Sequence, residues 1–242
     1  MNDEMEQLLN NLKLKKIQQV LGRELARAEK HEPSYEQFLL RLLRHQYQYQ
    51  QERSLAYRIR MARIPEQWTL ETFPFARQPG VRRAAIMQLA ELDFIGRAEN
   101  IVFVGDTGVG KTGLATGLLL SALEGGFRGL FIKAQDLFEQ MYASLADHSS
   151  RRLVNHLMNI DVLLIDEMGY LNLRPEQSNI FFRLMEQRYN RRPTIITTNL
   201  AYDEWYDFLG NKKMVAALLD RIRHHCHTIN IDGPSLRDPA ED

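Results

Sequence analysis

Hydrophobic residues follow two different periods along this chain. In the first third, apolar residues recur every three or four positions over Leu8–Leu21 and again over Phe38–Ala62. This spacing is typical of amphipathic helices. The second stretch is preceded by Ser34-Tyr35-Glu36-Gln37, the sequence of a helix capping box. Since Pro65 marks a helix boundary, we predict a small helical domain over residues 1–65.

From residue 66 onward, short apolar runs alternate with longer stretches of helical spacing. The runs rich in β-branched residues are Ile101–Val104, Leu130–Ile132, Val162–Ile165, Thr194–Thr198 and His227–Ile231. Regular alternation of strand and helix favours a parallel sheet with helices on both faces. We therefore predict an α/β domain over residues 66–242.

The first of these strands runs directly into a glycine-rich octapeptide. It consists of Gly105, Asp106, Thr107, Gly108, Val109, Gly110, Lys111 and Thr112. The octapeptide fits Gly-x-x-x-x-Gly-Lys-[Ser/Thr], in which backbone amides surround phosphate oxygens at the start of a helix. The Lys111 ammonium can reach the β- and γ-phosphates, and the Thr112 hydroxyl can bind Mg²⁺. We therefore predict that the chain binds a nucleoside triphosphate.

A second acidic element follows the strand Val162–Ile165. Asp166 and Glu167 come directly after four apolar residues, and ligands of open parallel sheets bind at the carboxyl ends of the strands. Asp166 is expected to hold Mg²⁺ opposite Thr112, through water. Glu167 is the candidate for polarising the attacking water.

Three further polar residues have two interpretations each. Asn199 follows the strand Thr194–Thr198 and could lie between the γ-phosphate and water, or could simply form a turn. Arg221 lies beside Asp220 on an apolar helix and could form only a local ion pair, while Arg237 could be a charge of the C-terminal tail. Spacing alone does not separate these interpretations.

Composition adds limits on partners and compartment. Lysine plus arginine and aspartate plus glutamate number 31 each, but six arginines and a single acid lie between Arg41 and Arg63. We predict that this segment, with Arg151 and Arg152, binds DNA phosphates without sequence preference. For any single arginine, however, a solvated helix face is the alternative. The interleaved Tyr47, Tyr49 and Tyr57 are expected to be core residues.

The remaining composition favours a cytoplasmic protein. The chain has one cysteine, Cys226, so an internal disulfide is impossible, and a reducing compartment is expected. The first residues are acidic and polar, unlike a signal peptide. No apolar run approaches the length of a membrane span, about 18 residues, so no membrane partner is expected.

The ordered set of motifs resembles a known family. Besides the P-loop, the residues that carry the resemblance are Asp166–Tyr170, Arg188-Tyr189, Thr197–Leu200, Trp205, Asp220-Arg221 and Gly233-x-Ser235-x-Arg237. They resemble the IstB/DnaC branch of the AAA+ ATPases, and within it the IstB family of helper ATPases of bacterial insertion-sequence transposition. The resemblance covers essentially the whole chain.

The resemblance implies a P-loop fold of the AAA+ initiator and helicase-loader type, with a five-stranded parallel sheet of order 5-1-4-3-2. It implies a homo-oligomer with ATP sites at subunit interfaces. In such proteins Arg221 matches an arginine finger given to the neighbour, Asn199 or Thr198 the first sensor, and Arg237 the second sensor. Phe75 belongs to a linker that would lie near the adenine. Only about 20 residues follow Arg221, so the C-terminal lid is expected to be reduced or absent.

For function, the resemblance implies a DNA-dependent ATPase that assembles with ATP on duplex DNA and recruits or stimulates a transposase. The alternative within the family is a DnaC-like loader of a replicative helicase. Two other classes remain open. A small-molecule P-loop kinase is disfavoured by Glu167 beside Asp166, and a switch that binds ATP with little turnover is disfavoured only by the presence of Glu167.

Overall fold

The computed structural model describes residues 3–66, 68–169 and 171–237. Tyr170, part of the motif quoted above, lies outside the described residues. The chain divides into two compact units at the junction of Tyr57 and Arg58. This junction lies inside a long helix, and the predicted boundary at residue 65 falls just after the end of that helix.

The N-terminal unit contains helices. They are α1 (Asp3–Asn11), α2 (Lys15–His31) and α3 (Tyr35–Ala62), the last of which continues into the second unit. As the capping-box sequence predicts, the backbone amide of Gln37 donates a hydrogen bond to Ser34 Oγ at 3.2 Å. The core of this unit is small and consists of Ile17, Val20, Leu21 and Leu42.

The second unit is built on a parallel sheet. Its strands are β1 (Asn100–Gly105), β2 (Gly129–Lys133), β3 (Val162–Met168), β4 (Thr194–Thr198) and β5 (Cys226–Ile231). The strand order is β2-β3-β4-β1-β5, and every neighbouring pair is parallel. This confirms the predicted order 5-1-4-3-2, read from the opposite edge.

Helices cover both faces of this sheet. They are α4 (Arg83–Leu89), α5 (Asp93–Gly96), α6 (Lys111–Glu124), α7 (Ala134–Ala146), α8 (Ser150–Met158), α9 (Pro175–Arg188), α10 (Trp205–Leu209) and α11 (Lys212–His224). On β3, Leu164 packs in the core that contains α6, while Leu163 and Ile165 pack in the core that contains α7 and α9. Burial on both faces explains why the strand is a continuous apolar run.

Arg188 is a charged residue inside this unit, 1% exposed. Its guanidinium donates to Thr194 Oγ1 at 3.0 Å and to the carbonyl oxygens of Leu157, Ile160 and Pro193. Burial lowers the pKa of Arg188 to about 9. The side chain thus joins the end of α8 to the start of β4, which stabilises the strand that ends at the predicted site.

The sheet order places the carboxyl ends of β3, β4 and β1 side by side. The P-loop, Asp166 and Asn199 each lie at one of these ends. After β5 the described chain continues to Arg237 without another helix. Among the described residues, no helix combines the length and apolarity that crossing a membrane requires.

Candidate nucleotide-binding site

The loop Gly105–Gly110 joins β1 to the first turn of α6. Gly108 and Gly110 have φ angles of +88° and +95°, which residues with a Cβ atom rarely adopt. A Cβ atom at position 110 would also lie 2.8 Å from the Phe73 ring. The two glycines are therefore required by the backbone of the loop and by its neighbours.

Lys111 is folded back onto this loop. Its Nζ donates hydrogen bonds to the carbonyl oxygens of Gly105 and Asp106, each at 2.7 Å. Burial lowers the pKa of Lys111, although the carboxylates of Asp166, Asp106 and Glu167 oppose the shift. The carbonyl oxygens of Gly105 and Asp106 thus hold the ammonium group against the P-loop.

A hydrogen-bond network centres on Asp166, which is 2% exposed. The hydroxyls of Thr112 and Thr197 donate to Asp166 Oδ1 at 2.8 and 2.6 Å. The Glu167 amide in turn donates to Thr197 Oγ1 at 2.9 Å. Burial raises the pKa of Asp166, against the effect of these two hydroxyls.

Thr197 is a site residue that sequence reasoning missed. It belongs to the predicted strand Thr194–Thr198, in which nothing about the strand pattern distinguishes its hydroxyl from those of the neighbouring threonines. A polar side chain in a strand without solvent on either side needs a hydrogen-bond partner. The need for such a partner is the feature of the sequence that could have indicated Thr197.

Glu167 has an unusual backbone and a charged partner. The predicted strand ends at Ile165, whereas β3 continues to Met168, so the predicted strand end was wrong. The register with β4 shifts between Ile165 and Met168, and Glu167 has φ = +59°. This bulge turns the side chain toward β2, where Lys133 Nζ lies 3.1 Å from Glu167 Oε2.

Asn199 lies directly after β4, beside Asp166 and Glu167 in the lining of one cavity. Its Oδ1 is buried and has no hydrogen-bond partner among the described residues. The preceding hydroxyl, of Thr198, donates to the Met168 carbonyl at 2.6 Å. Of the two candidates for the first sensor, Asn199 therefore has the unused polar group.

The cavity has a volume of about 900 Å³, within the usual range for ligand sites. Besides residues already described, its lining includes Trp68, Phe73, Pro74, Arg77, Leu236 and Arg237. Phe75 is not among the lining residues and instead packs edge-to-face on Phe73, with ring centroids 4.8 Å apart. The structure thus brings Lys111, Thr112, Asp166, Glu167, Asn199 and Arg237 around one space.

Arg221 lies elsewhere. It is on α11, where its guanidinium lies 3.3 Å from Glu186 Oε1, and it does not line the cavity. A role in the site of the same protomer is therefore not supported by its position. A role in a neighbouring protomer is compatible with it.

The arginines predicted to bind DNA differ in their surroundings. Arg44, Arg53, Arg60 and Arg63 are exposed, as are Arg151 and Arg152 on α8. Arg41 lies 3.9 Å from the buried Glu24 carboxylate, and Arg58 Nε donates to the Leu123 carbonyl at 2.8 Å. The expectation that the tyrosines are core residues was wrong for Tyr47 and Tyr57, which are 62% and 56% exposed.

The whole chain is similar in sequence to known proteins. The family model for IstB-like ATP binding proteins matches residues 7–241. An ATP-binding protein of insertion sequence IS21 from Pseudomonas aeruginosa is 36% identical over 234 residues, which cover 97% of this chain and 88% of the relative. A counterpart from insertion sequence IS5376 of Geobacillus stearothermophilus is 37% identical over 87% of this chain and 84% of its own length.

Solved structures share the fold at lower identity. A crystal structure of the DnaC helicase loader has a TM-score of 0.56 and 23% identity, covering 68% of this chain and 97% of that protein. The replication initiator DnaA, bound to AMPPCP and single-stranded DNA, has a TM-score of 0.59 and 20% identity, with 71% and 52% covered. These similarities concern the fold.

Proposed function

The chain belongs to the family of IstB-like ATP-binding proteins, of AAA+ fold, and from this premise we propose a function in transposition. It is a DNA-dependent ATPase that assembles with ATP on duplex DNA and recruits or stimulates a transposase. The observation that carries the ATPase part is the joint position of Lys111, Thr112, Asp166 and Glu167 around one cavity. The transposition part is supported by relatives named as ATP-binding proteins of insertion sequences.

The residues present fit a magnesium ion. Thr112 Oγ1 and Asp166 Oδ1 are oxygen atoms 2.8 Å apart, and oxygen is the ligand that Mg²⁺ prefers. When bound, Mg²⁺ neutralises charge on the β- and γ-phosphates. Thr112 and Asp166 would hold the ion, the latter through water, while the Lys111 ammonium contacts the phosphates from the P-loop.

Glu167 and Asn199 act on the attacking water. A carboxylate next to the γ-phosphate can accept a hydrogen bond from water and orient it. Asn199 lines the same cavity, and its amide can contact the γ-phosphate on one side and the water on the other. Asn199 Oδ1 has no partner among the described residues and can therefore accept a hydrogen bond from this water.

Arg221 supplies a further positive charge, but to the site of the neighbouring protomer. Its exposed ion pair with Glu186 is worth at most about 1 kcal/mol. An arginine finger contributes roughly 10³–10⁵ in rate, or about 4–7 kcal/mol. The ion pair is therefore too weak to prevent Arg221 from contacting a neighbour's γ-phosphate. Assembly of protomers would then switch hydrolysis on.

A mixing experiment tests this arrangement. Arg221→Ala and Glu167→Gln proteins, each assayed alone with ATP, Mg²⁺ and duplex DNA, should both be nearly inactive. Mixed in equal amounts, they should recover about one quarter of wild-type activity, since one interface in four then combines an intact finger with an intact carboxylate. If the mixture stays inactive, or Arg221→Ala alone keeps wild-type activity, action in trans is refuted.

The same assay separates the other classes. Phosphate release stimulated by duplex DNA without a phosphate acceptor supports an ATPase and excludes a kinase. ATP binding without turnover in the presence of DNA and transposase identifies a switch. Stimulation of strand transfer by the transposase of the same insertion sequence supports the proposal, whereas binding to a replicative helicase instead would favour the loader alternative.

A further inference from the structure

Two successive carbonyl groups of the P-loop are bound by residues outside the motif. The Gly108 carbonyl accepts a hydrogen bond from the backbone amide of Leu236 at 2.9 Å. The Val109 carbonyl accepts one from Gln78 Nε2 at 3.0 Å. In a trans peptide, the C=O group and the following N–H group point in opposite directions. The two contacts therefore fix the directions of the Val109 and Gly110 amides, which point away from their donors.

Gln78 also binds the segment that follows β5. Its Nε2 donates to the Pro234 carbonyl at 3.1 Å, and the residue is completely buried. Both neighbours of Nε2 are carbonyl oxygens. Exchanging Nε2 and Oε1 would bring Oε1 against these two oxygens, three acceptors with no hydrogen between them, so that orientation of the amide is excluded. One side-chain amide thus joins the P-loop to the C-terminal segment, which we define as residues 232–237.

The C-terminal segment packs without room for additional side chains. A Cβ atom at Gly233 would lie 1.9 Å from Gln78 Oε1, and one at Gly80 would lie 2.3 Å from the Asp232 carbonyl oxygen. On the P-loop side, a Cβ atom at Gly108 would lie 2.4 Å from Ser235 Oγ. These close approaches leave no room for a Cβ atom where the segment meets Gln78, Gly80 and the P-loop.

We propose that Gln78 is a positioning residue for the nucleotide, and that Gln78 and the Leu236 amide orient the phosphate-binding amides of the P-loop. The inference rests on the proposed ATP site. The C-terminal segment also places Arg237 in the lining of the cavity. ATP affinity should consequently depend on two hydrogen-bond donors that touch no phosphate.

The first test removes one backbone hydrogen. Leu236→Pro deletes the amide that binds the Gly108 carbonyl, whereas Leu236→Ala keeps that amide and serves as the matched control. Both variants lose the Leu236 side chain, which lines the cavity, so the ratio of their dissociation constants isolates the hydrogen bond. In the full chain, titrated with ATP and Mg²⁺ by calorimetry, Leu236→Pro should bind roughly five- to hundred-fold more weakly than Leu236→Ala, as expected when a buried acceptor loses its donor.

The second test uses Gln78, with a pH profile that a purely structural role would not produce. Gln78→Leu, similar in size but without a donor, should weaken ATP binding by a similar factor. Gln78→Glu cannot donate when ionised but can when protonated. Because position 78 is completely buried, the pKa of a glutamate placed there should be raised well above its usual value of about 4.3. The affinity of Gln78→Glu relative to wild type should therefore be lowest at pH 8 and recover toward pH 6, whereas the deficit of Gln78→Leu should be the same at both pH values.

The outcomes separate the two proposals. If wild type binds ATP, and Leu236→Pro and both Gln78 variants bind it equally well, the positioning role is overturned while the proposed ATPase stands. If wild type itself does not bind ATP, the proposed function fails first. Should Gln78→Leu not fold, the comparison of Leu236→Pro with Leu236→Ala decides alone, with thermal unfolding without nucleotide as the check on folding.

Discussion

Replacing Lys133 by methionine should raise the rate of ATP hydrolysis in the absence of DNA. Lys133 Nζ lies 3.1 Å from Glu167 Oε2, and the two side chains are 51% and 49% exposed. The ion pair engages the carboxylate that we propose orients the attacking water. Methionine keeps an unbranched apolar side chain and removes the ammonium group, so the substitution releases Glu167 with little change in packing.

The exposure of both partners limits the effect. Exposed ion pairs contribute at most about 1 kcal/mol, and 1.36 kcal/mol corresponds to a tenfold change in rate. We therefore expect kcat to rise roughly two- to five-fold, with little change in KM. This is far below the effect of an arginine finger, about 10³-fold or more, so Lys133 adjusts the basal rate and cannot replace assembly.

Steady-state phosphate release at saturating ATP and Mg²⁺, without DNA, measures this change. Lys133→Arg keeps the ion pair and is the control; it should behave like wild type. Added salt screens an exposed pair, so the difference between Lys133→Met and wild type should shrink at high ionic strength. A Lys133→Met protein that is slower than wild type, or equal to it at low salt, would refute the reasoning, and a slower one would indicate that Lys133 contacts phosphate.

Three other sets of substitutions probe the metal site, the P-loop and the DNA surface. Burial raises the pKa of Asp166, so folding favours the protonated carboxyl group. The stability that the protonated group contributes is lost as the pH rises through the raised pKa. Asp166→Asn should therefore raise the Tm at pH 8, by an amount that vanishes toward pH about 4, and should abolish Mg²⁺-dependent hydrolysis. Gly110→Ala should weaken ATP binding at least about tenfold, because φ is +95° at this position. Gly22→Ala is the control: a Cβ atom there meets nothing within 4 Å, so ATP binding should not change. Replacing the exposed Arg44 and Arg53 by alanine should make the binding constant for duplex DNA less dependent on salt. The slope of its logarithm against the logarithm of the salt concentration, measured by fluorescence anisotropy, should fall by about 0.9 for each phosphate that is no longer neutralised. An unchanged slope would exclude both arginines from the DNA surface.

Much of the fold followed from local sequence rules. Parallel strands buried on both faces are continuous apolar runs, as in β1, β2 and β3, whereas β4 and β5 were recognisable by their β-branched residues. The P-loop begins at the last residue of β1, and the Asp166-Glu167 pair follows the apolar run of β3 directly. The geometry of parallel sheets then requires that they meet at one edge, and they do.

The residues that could not be predicted act through contacts distant in sequence. Lys133 is the last residue of β2 and meets Glu167 only because β2 pairs with β3 and because β3 carries a bulge. Gln78 lies in a breaker-rich connection, where nothing local indicates burial. Arg188 lies on the buried face of α9, where an arginine is unusual, but four acceptors surround its guanidinium. Each position depends on which elements pack together.

The polar groups of the proposed reaction are already engaged by the protein. Lys111 donates to the P-loop carbonyls, the Thr112 hydroxyl donates to Asp166, and Glu167 is paired with Lys133. ATP and Mg²⁺ must therefore exchange these bonds for new ones, and the net gain from each exchange is much smaller than the bond itself. It follows that phosphate contacts at Lys111 and Thr112 alone give modest affinity, so that the orientation of the P-loop amides and the contribution of a neighbouring Arg221 decide whether nucleotide is held and hydrolysed.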